Sequence, residues 1–267
     1  MFHVLHDHYG FDEDHYRYLD VYTYRSGVTG SSTEANVNSS IKNWLGGYST
    51  VNDIIFIYFS SHGGGYNVTS NELINGRFDD EGGDEGDEIR ESTLGQDVNG
   101  DGNMDDWFGV DESMEVQGGY YWDDELAECL DTLSYAKLIF VRQGCLEDEQ
   151  GCYGGGIIDD ISAPKRIIMT ATNETCPSYG NSDEYLEPGD GFSEWSERFI
   201  DALHGKRAHW HNGIGIVHDD DVDADTNNDE HVSMWEAWKY AWDHDEARPS
   251  ETPWLDDNFN GEPTYIN

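Results

Sequence analysis

The sequence predicts an α/β fold in which helices cover a mostly parallel central sheet. Three short segments, 54–59, 138–141 and 166–171, are rich in apolar and β-branched residues. Apolar runs of this length are typical of strands that are buried on both faces. Helical patterns separate these segments along the chain, and this alternation predicts an α/β sandwich with a parallel sheet.

The helices are predicted from apolar residues that recur at helical spacing. Residues 34–45 place Val37 and Ile41 on one face, with Ser32 or Thr33 as the N-cap. Further helices are predicted at 123–133, 192–203 and 234–242, and further strands at 18–22 and 214–217.

The length of 267 residues suggests one domain or two small ones, and we expect a single domain that spans residues 1–267. Residues 66–119 are rich in glycine and acidic residues and lack apolar periodicity, so we expect an acidic insertion between core elements. Residues 219–245 form a second acidic element that leads into a helix. Aromatic residues make up 13% of the chain and supply a core, which excludes a wholly disordered acidic protein.

The charge balance excludes several classes of function. The chain has 56 Asp and Glu against 14 Lys and Arg, which gives a formal net charge of −42. Nucleic acids and anionic membranes require a basic face, so neither is expected as a partner. The remaining uses of so much acid are hydration in a salt-rich medium and the binding of cations.

The predicted location is extracellular, with the chain as a mature form from which any signal peptide has been removed. No apolar run approaches the roughly 20 residues of a membrane span, so no membrane insertion is expected. No signal-peptide pattern opens the chain. The acidic composition is typical of proteins from a high-salt environment. The sequence leaves the oligomeric state open.

A histidine and two cysteines follow predicted strands. His62 begins a His-Gly-Gly-Gly run after strand 54–59, and Cys145 and Cys152 follow strand 138–141. Ligands of parallel α/β sheets bind at the carboxyl ends of the strands. A cysteine nucleophile needs an imidazole to take its proton and backbone N–H groups for the oxyanion. Gly63 beside the histidine allows such a close approach.

These motifs resemble those of the caspase-like cysteine peptidases, the clan of legumain, caspases, metacaspases and gingipains. SSHGGG is similar to the His-Gly motif that ends one buried strand, and CYGGGIIDDIS resembles the nucleophile motif of legumain-like prokaryotic members. TATNETCPSYG and GFSEWSERFIDALHG resemble the loop and the helix that follow. The resemblance covers roughly residues 35–65 and 123–205. It implies a three-layer caspase-like sandwich and a thiol endopeptidase that acts on peptides or proteins.

The resemblance implies a catalytic dyad of His62 and Cys152, with the N–H of Gly63 in the oxyanion hole. The tripeptide Gln-Gly-Cys occurs at residues 143–145 and again at 150–152, so Cys145 is the alternative nucleophile. The glycine turn after Cys152 favours that residue. The acidic residues after Cys145 would raise the pKa of its thiol and oppose an oxyanion. A catalytically inactive calcium-binding scaffold or binding module of this fold is the alternative function.

The specificity pocket is predicted only in outline. Members of the resembled clan cleave after Asn, Asp, Arg or Lys, according to the charge of the pocket. The acidic chain favours a basic residue, with Asn as the alternative, and Ser61, Asn173 and Glu174 are candidates for lining the pocket. The family has a strand and a helix before the region that matches residues 18–45. Because only residues 1–17 precede that region here, either the sheet lacks a strand or the chain is shortened.

Two acidic loops have the ligand spacing of EF-hand and dockerin-like calcium sites. The first has a glycine at the sixth position, but Phe108 stands where the bidentate glutamate belongs, so Asp106 or Asp111 would have to replace it. The second has the glutamate, followed by a helix after Ser233, but Glu230 occupies the glycine position. The predicted calcium ligands are Asp97, Asn99, Asp101, Asn103 and Asp105 in the first loop, and Asp225, Asn227, Asp229, His231, Ser233 and Glu236 in the second.

Overall fold

The structure is a computed structural model that describes residues 1–65, 89–90, 107–108, 112–144, 154–173, 178, 194–211, 215–245, 247–258 and 264–266. Its strands are β1 (Ile54–Ser61), β2 (Gly63–Gly65), β3 (Ile89–Arg90), β4 (Trp107–Phe108), β5 (Glu112–Val116), β6 (Gly119–Trp122), β7 (Lys137–Gly144), β8 (Arg166–Thr170), β9 (Lys206–His211), β10 (Gly215–Asp221) and β11 (Trp254–Asp257). A π-helical turn at Val4–His8 precedes α1, which comprises Glu34–Asn38, Ser39–Leu45 and Gly46–Tyr48; the later helices are α2 (Asp123–Asp131), α3 (Ile157–Ile161), α4 (Glu194–His204) and α5 (Met234–His244).

The central sheet has the strand order β1-β7-β8-β11. β1 pairs with β7, and β7 with β8, in parallel, while β11 pairs with β8 in the antiparallel sense. The mostly parallel sheet predicted from the sequence is therefore confirmed. A connection between neighbouring parallel strands must cross over a face of the sheet, which explains why helical segments separate these strands.

Helices cover both faces of the sheet, as the two sets of contacts made by β7 show. Consecutive side chains of a strand point to opposite faces. Leu138 and Phe140 belong to a core that includes buried residues of α1, α2 and α3. Ile139 and Val141 belong to a second core, which includes buried residues of α4 and α5. The molecule is thus a three-layer α/β sandwich, and β7 is buried on both faces as predicted.

β1 differs from the prediction because it lies at the edge of the described sheet. Ile55 is buried, but Ile54 is 38% exposed and the rest of the strand is mostly half-buried. The apolar run 54–59 predicted the strand correctly, but the strand is less buried than the run indicated. A run of apolar residues cannot distinguish an edge strand from a central one, because that difference depends on which strands lie beside it.

The predicted helices are confirmed, with small changes at their ends. The hydroxyl of Thr33 accepts a hydrogen bond from the N–H of Asn36, so Thr33 rather than Ser32 is the N-cap of α1. Ser233 caps α5 in the same way and shares a capping box with Glu236. Among the described residues, no helix has the length and apolar character needed to cross a bilayer.

One local expectation was wrong, because the strand predicted at 18–22 is a single bridge between Leu19 and Gly30. At the end of the predicted insertion, β5 pairs with β2 and β6 and buries Met114 completely. The short alternation in this strand was obscured by its acidic surroundings. Most of the insertion, including 66–88 and 91–106, lies outside the described residues.

Phe140→Ala is expected to lower the free energy of unfolding by about 3–5 kcal/mol, because it removes a fully buried ring from the centre of β7. Urea unfolding followed by tryptophan fluorescence measures the loss. Tyr24→Ala is the control, because Tyr24 is 82% exposed and should change stability little. Equal effects of the two substitutions would contradict the packing described for β7.

Candidate active site

His62 lies directly after the carboxyl end of β1, and its residue is exposed. Its carbonyl oxygen accepts hydrogen bonds from the N–H of Glu115, at 2.8 Å, and from the hydroxyl of Ser61, at 2.9 Å. The chain then continues into β2, which pairs with β5. Two hydrogen bonds therefore hold the carbonyl group of His62, while the residue as a whole is exposed.

The N–H of Gly63 points away from β5. Gly63 is paired with Met114, and the preceding pair, His62 with Glu115, is hydrogen-bonded. Hydrogen-bonded and non-hydrogen-bonded pairs alternate along an antiparallel ladder, so Gly63 occupies a non-hydrogen-bonded position. The backbone donor expected to face a substrate oxygen is thus not used by the neighbouring strand.

The register of the sheet places the residue before His62 beside the residue before Cys145. Ser61, the residue before His62, pairs with Gly144, the residue before Cys145. Both residues stand at the carboxyl ends of adjacent parallel strands, which is where α/β proteins bind ligands. Cys145 and Cys152 themselves lie outside the described residues.

The chain re-enters the described structure at Gly154, in a buried glycine turn that precedes α3. A Cβ atom added at Gly154 would stand 3.6 Å from Cγ2 of Thr172 and 3.7 Å from Nε of Arg142. The turn therefore packs against the ends of β7 and β8. In the sequence, the stretch that contains both cysteines lies between Gly144 and Gly154, and both of these residues are at the carboxyl end of the parallel sheet.

A buried network of polar side chains lies at the same carboxyl end of the sheet. Gln143 is fully buried, and its Nε2 donates to the carbonyl of Gly144, at 2.7 Å, and to the hydroxyl of Ser178, at 2.6 Å. Its Oε1 accepts from the N–H of Ser196, at 3.1 Å, near the start of α4. The hydroxyl of Ser178 donates in turn to Glu251, at 2.6 Å, which is also fully buried.

The sequence did not predict that Ser178 and Glu251 belong to this polar network. The two residues are 73 positions apart in the chain, and the TATNETCPSYG segment that contains Ser178 gives no indication of its partner. The only available signal was a glutamine at the end of an apolar strand, since a buried amide requires partners.

The predicted pocket residues are placed only in part. Ser61 ends β1, and its half-buried side chain donates to the carbonyl of His62. Asn173 is half-buried and follows β8. The two residues therefore lie at the same end of the sheet with β7 between their strands, whereas Glu174 lies outside the described residues.

The second predicted calcium loop is described throughout, whereas its first counterpart, Asp97, Asn99, Asp101, Asn103 and Asp105, lies outside the described residues. The carboxylate of Asp225 accepts from the N–H groups of Asp229 and Glu230, at 3.2 and 2.8 Å. The amide oxygen of Asn227 also accepts from Asp229, at 2.8 Å, and Asp229 accepts from His231, at 3.0 Å. The side chains of the first half of the loop thus satisfy its backbone donors.

Glu236 closes this loop from the first turn of α5. It is 2% exposed, and one carboxylate oxygen accepts from the N–H groups of Thr226 and Asn227, at 3.0 and 3.2 Å. The other oxygen accepts from the N–H and the hydroxyl of Ser233. Burial opposes the ionisation of Glu236, but these hydrogen bonds outweigh burial and hold its pKa below its usual value.

Glu230 occupies the sixth loop position with a φ of 72°. Positive φ is the conformation for which glycine is usually required, so the loop adopts this geometry with a glutamate in the glycine position. Within the described part of the chain, no three or more His, Cys, Asp or Glu side chains are gathered closely enough to hold a metal ion. The oxygen donors suit calcium, but here they face the N–H groups of the loop rather than one common point.

No family model matches the sequence, and no curated protein does. Among solved structures, the chain is similar to that of protein GSU0716 from Geobacter sulfurreducens, with 15% sequence identity and a TM-score of 0.48. The match covers 90% of this chain and 83% of that one. At this level of similarity, the functional argument rests on the residues of this chain.

Glu236→Gln is expected to flatten the acid limb of the stability profile. Because the pKa of Glu236 is depressed by folding, its contribution to stability is present above the unfolded pKa and is lost as the pH falls through the lower folded pKa. Unfolding free energies of parent and variant, measured at fixed salt from neutral pH down to about pH 3, should converge as the pH falls. The exposed Glu13, substituted in the same way, is the matched control. A constant difference between parent and Glu236→Gln across this range would contradict the assignment.

Proposed function

We propose that the protein is a caspase-like cysteine endopeptidase with a dyad of His62 and Cys152, and with Cys145 as the alternative nucleophile. The observation that carries the proposal is the pairing of Ser61 with Gly144, because it sets the residues that lead to His62 and to Cys145 side by side. The packing of Gly154 against Arg142 and Thr172 supports Cys152, which is two positions earlier in the sequence.

In the proposed mechanism, the imidazole of His62 takes the thiol proton, and the thiolate attacks the carbonyl carbon of the scissile peptide bond. The oxyanion of the tetrahedral intermediate accepts hydrogen bonds from the N–H of Gly63 and of the nucleophilic cysteine. His62 then donates the proton to the leaving amine as the C–N bond breaks. A water molecule, deprotonated by His62, hydrolyses the resulting thioester and restores the free thiol.

The acidic composition of the chain supports cleavage after a basic residue, with Asn as the alternative. The chain has 56 Asp and Glu against 14 Lys and Arg, and this excess of negative charge favours a cationic side chain over a neutral one. Ser61 and Asn173, with Glu174, remain the proposed lining of the specificity pocket.

We propose that calcium binds the loop formed by residues 225–236. Its support is the donor set of carboxylate, amide and carbonyl oxygens, together with the positive φ of Glu230 at the position where such loops usually carry glycine. Binding would require Asp225, Asp229 and Glu236 to exchange backbone N–H partners for the ion. The calcium sites of extracellular modules bind the ion weakly and work at extracellular calcium concentrations. A site of this kind agrees with the proposed extracellular, salt-rich setting.

Labelling with an iodoacetamide-type probe tests the dyad. In the parent, one thiol should react rapidly, and Cys152→Ala should abolish both this labelling and the cleavage of basic-residue peptides, whereas Cys145→Ala should retain both. His62→Ala should slow the reaction because the thiol loses its base. Cys129→Ala is the control, since Cys129 is fully buried and burial raises the pKa of its thiol.

The reverse pattern for the two cysteines would transfer the nucleophile to Cys145. A rapidly labelled cysteine without any cleavage of a positional-scanning peptide library, with or without calcium, would favour the alternative function, a catalytically inactive calcium-binding scaffold or binding module. Slow labelling of every cysteine would overturn the peptidase proposal.

Calcium is expected to raise the melting temperature at fixed ionic strength, because a ligand that binds only the native state stabilises it. Free calcium at 100 times its Kd would raise the free energy of unfolding by about 2.7 kcal/mol. Asp225→Asn should abolish the rise attributed to this loop, while the exposed Asp14→Asn should leave it unchanged. An identical calcium response in the parent and in Asp225→Asn would exclude this loop, and no response in the parent would exclude structural calcium.

A further inference from the structure

Arg142 is a buried cation three positions before Cys145, and the sequence motifs assign it no role. Its residue is 1% exposed, and its Nη2 donates to the carbonyl of Ser113, at 2.8 Å. Its Nε and Cδ also border Gly154, at 3.7 and 3.8 Å from the position of an added Cβ. Removing a guanidinium from water is costly, so the hydrogen bond to Ser113 is a strong constraint on the position of this side chain.

The segments that Arg142 contacts are those that border the candidate site. Ser113 belongs to β5 and pairs with Gly64, two residues after His62. Glu115 of the same strand donates to the carbonyl of His62. Gly154 opens the turn that follows Cys152 in the sequence.

We propose that Arg142 is a positioning residue that holds β5, and through it the backbone of His62, at a fixed separation from the glycine turn at Gly154. This inference rests on the proposed function, because its catalytic consequence is the alignment of imidazole and thiol on one substrate carbonyl. A guanidinium suits this role because its planar array of five N–H donors can bond in several directions at once. A lysine would supply the charge as a single point and reproduce only part of the arrangement.

Arg166 is a matched control within the same sheet. It is 2% exposed and also bonds a backbone carbonyl, that of Ile161, at 2.9 Å. It further donates to Asp131 and Tyr135. Arg166 begins β8, however, and therefore lies at the amino end of the parallel sheet, opposite His62. Substitution of either arginine should cost stability, but only Arg142 should affect catalysis.

Steady-state cleavage of a basic-residue peptide by Arg142→Met, Arg142→Lys and Arg166→Met tests the proposal at a temperature well below each melting point. Arg142→Met should lower kcat about 10- to 100-fold with little change in KM, the scale expected when reacting groups are misplaced by up to about 1 Å. Arg142→Lys should recover part of the loss, and Arg166→Met should keep the parent kcat. If Arg142→Met does not fold, the comparison of Arg142→Lys with Arg166→Met decides the question.

Amide hydrogen exchange gives a second readout that does not require activity. Exchange at residues 112–116 and 154–161 should increase in the Arg142 variants and remain at the parent level at 112–116 in Arg166→Met. Equal kcat in the Arg142 and Arg166 variants, with unchanged exchange at 112–116, would overturn the role of Arg142 while leaving the peptidase intact. A parent protein without thiol-dependent cleavage would instead overturn the proposed function, and the exchange data alone would then decide whether Arg142 holds these segments.

Discussion

The parallel pairing of β1 with β7 is the contact on which the rest of the structure depends. β7 is the central element because its residues from Leu138 to Gly144 are buried and supply both cores of the sandwich. A one-residue slip in its register would move every side chain to the opposite face and would take Arg142 and Gln143 away from their hydrogen-bond partners. The same register sets Gly144 beside Ser61. The packing that stabilises the fold therefore also determines which loops meet at the candidate site.

The carboxyl end of this sheet combines apolar packing with buried polar side chains that form hydrogen bonds. Arg142 and Gln143 are successive residues of β7, and they point to opposite faces. One bonds β5, and the other bonds Ser178 and the N–H of Ser196. Each side chain thus joins the end of β7 to the elements that cover one face. Buried polar groups with satisfied partners specify a unique arrangement, since any alternative would leave them without hydrogen bonds.

The large negative charge has a local as well as a global meaning. In the loop of residues 225–236, carboxylates replace water around backbone N–H groups, and Glu236 ties the loop to the start of α5. Two bound calcium ions would offset only four of the 42 net negative charges. Calcium would therefore account for where some of the acid is placed, and the remainder is suited to keeping the surface hydrated in a salt-rich medium.

The sequence by itself determined the strands of the parallel sheet, the helices α1, α2, α4 and α5, and the position of His62 after a strand. Each of these depends on a local period or a local run, which short segments carry within themselves. Only the tertiary structure decided that β1 is an edge strand, that β5 enters the core, and that Ser178 and Glu251 join Gln143. It likewise decided the position of Arg142 between β5 and the turn at Gly154. Those features depend on contacts between residues far apart in the chain, and the pairing of whole strands fixes such contacts rather than any local pattern.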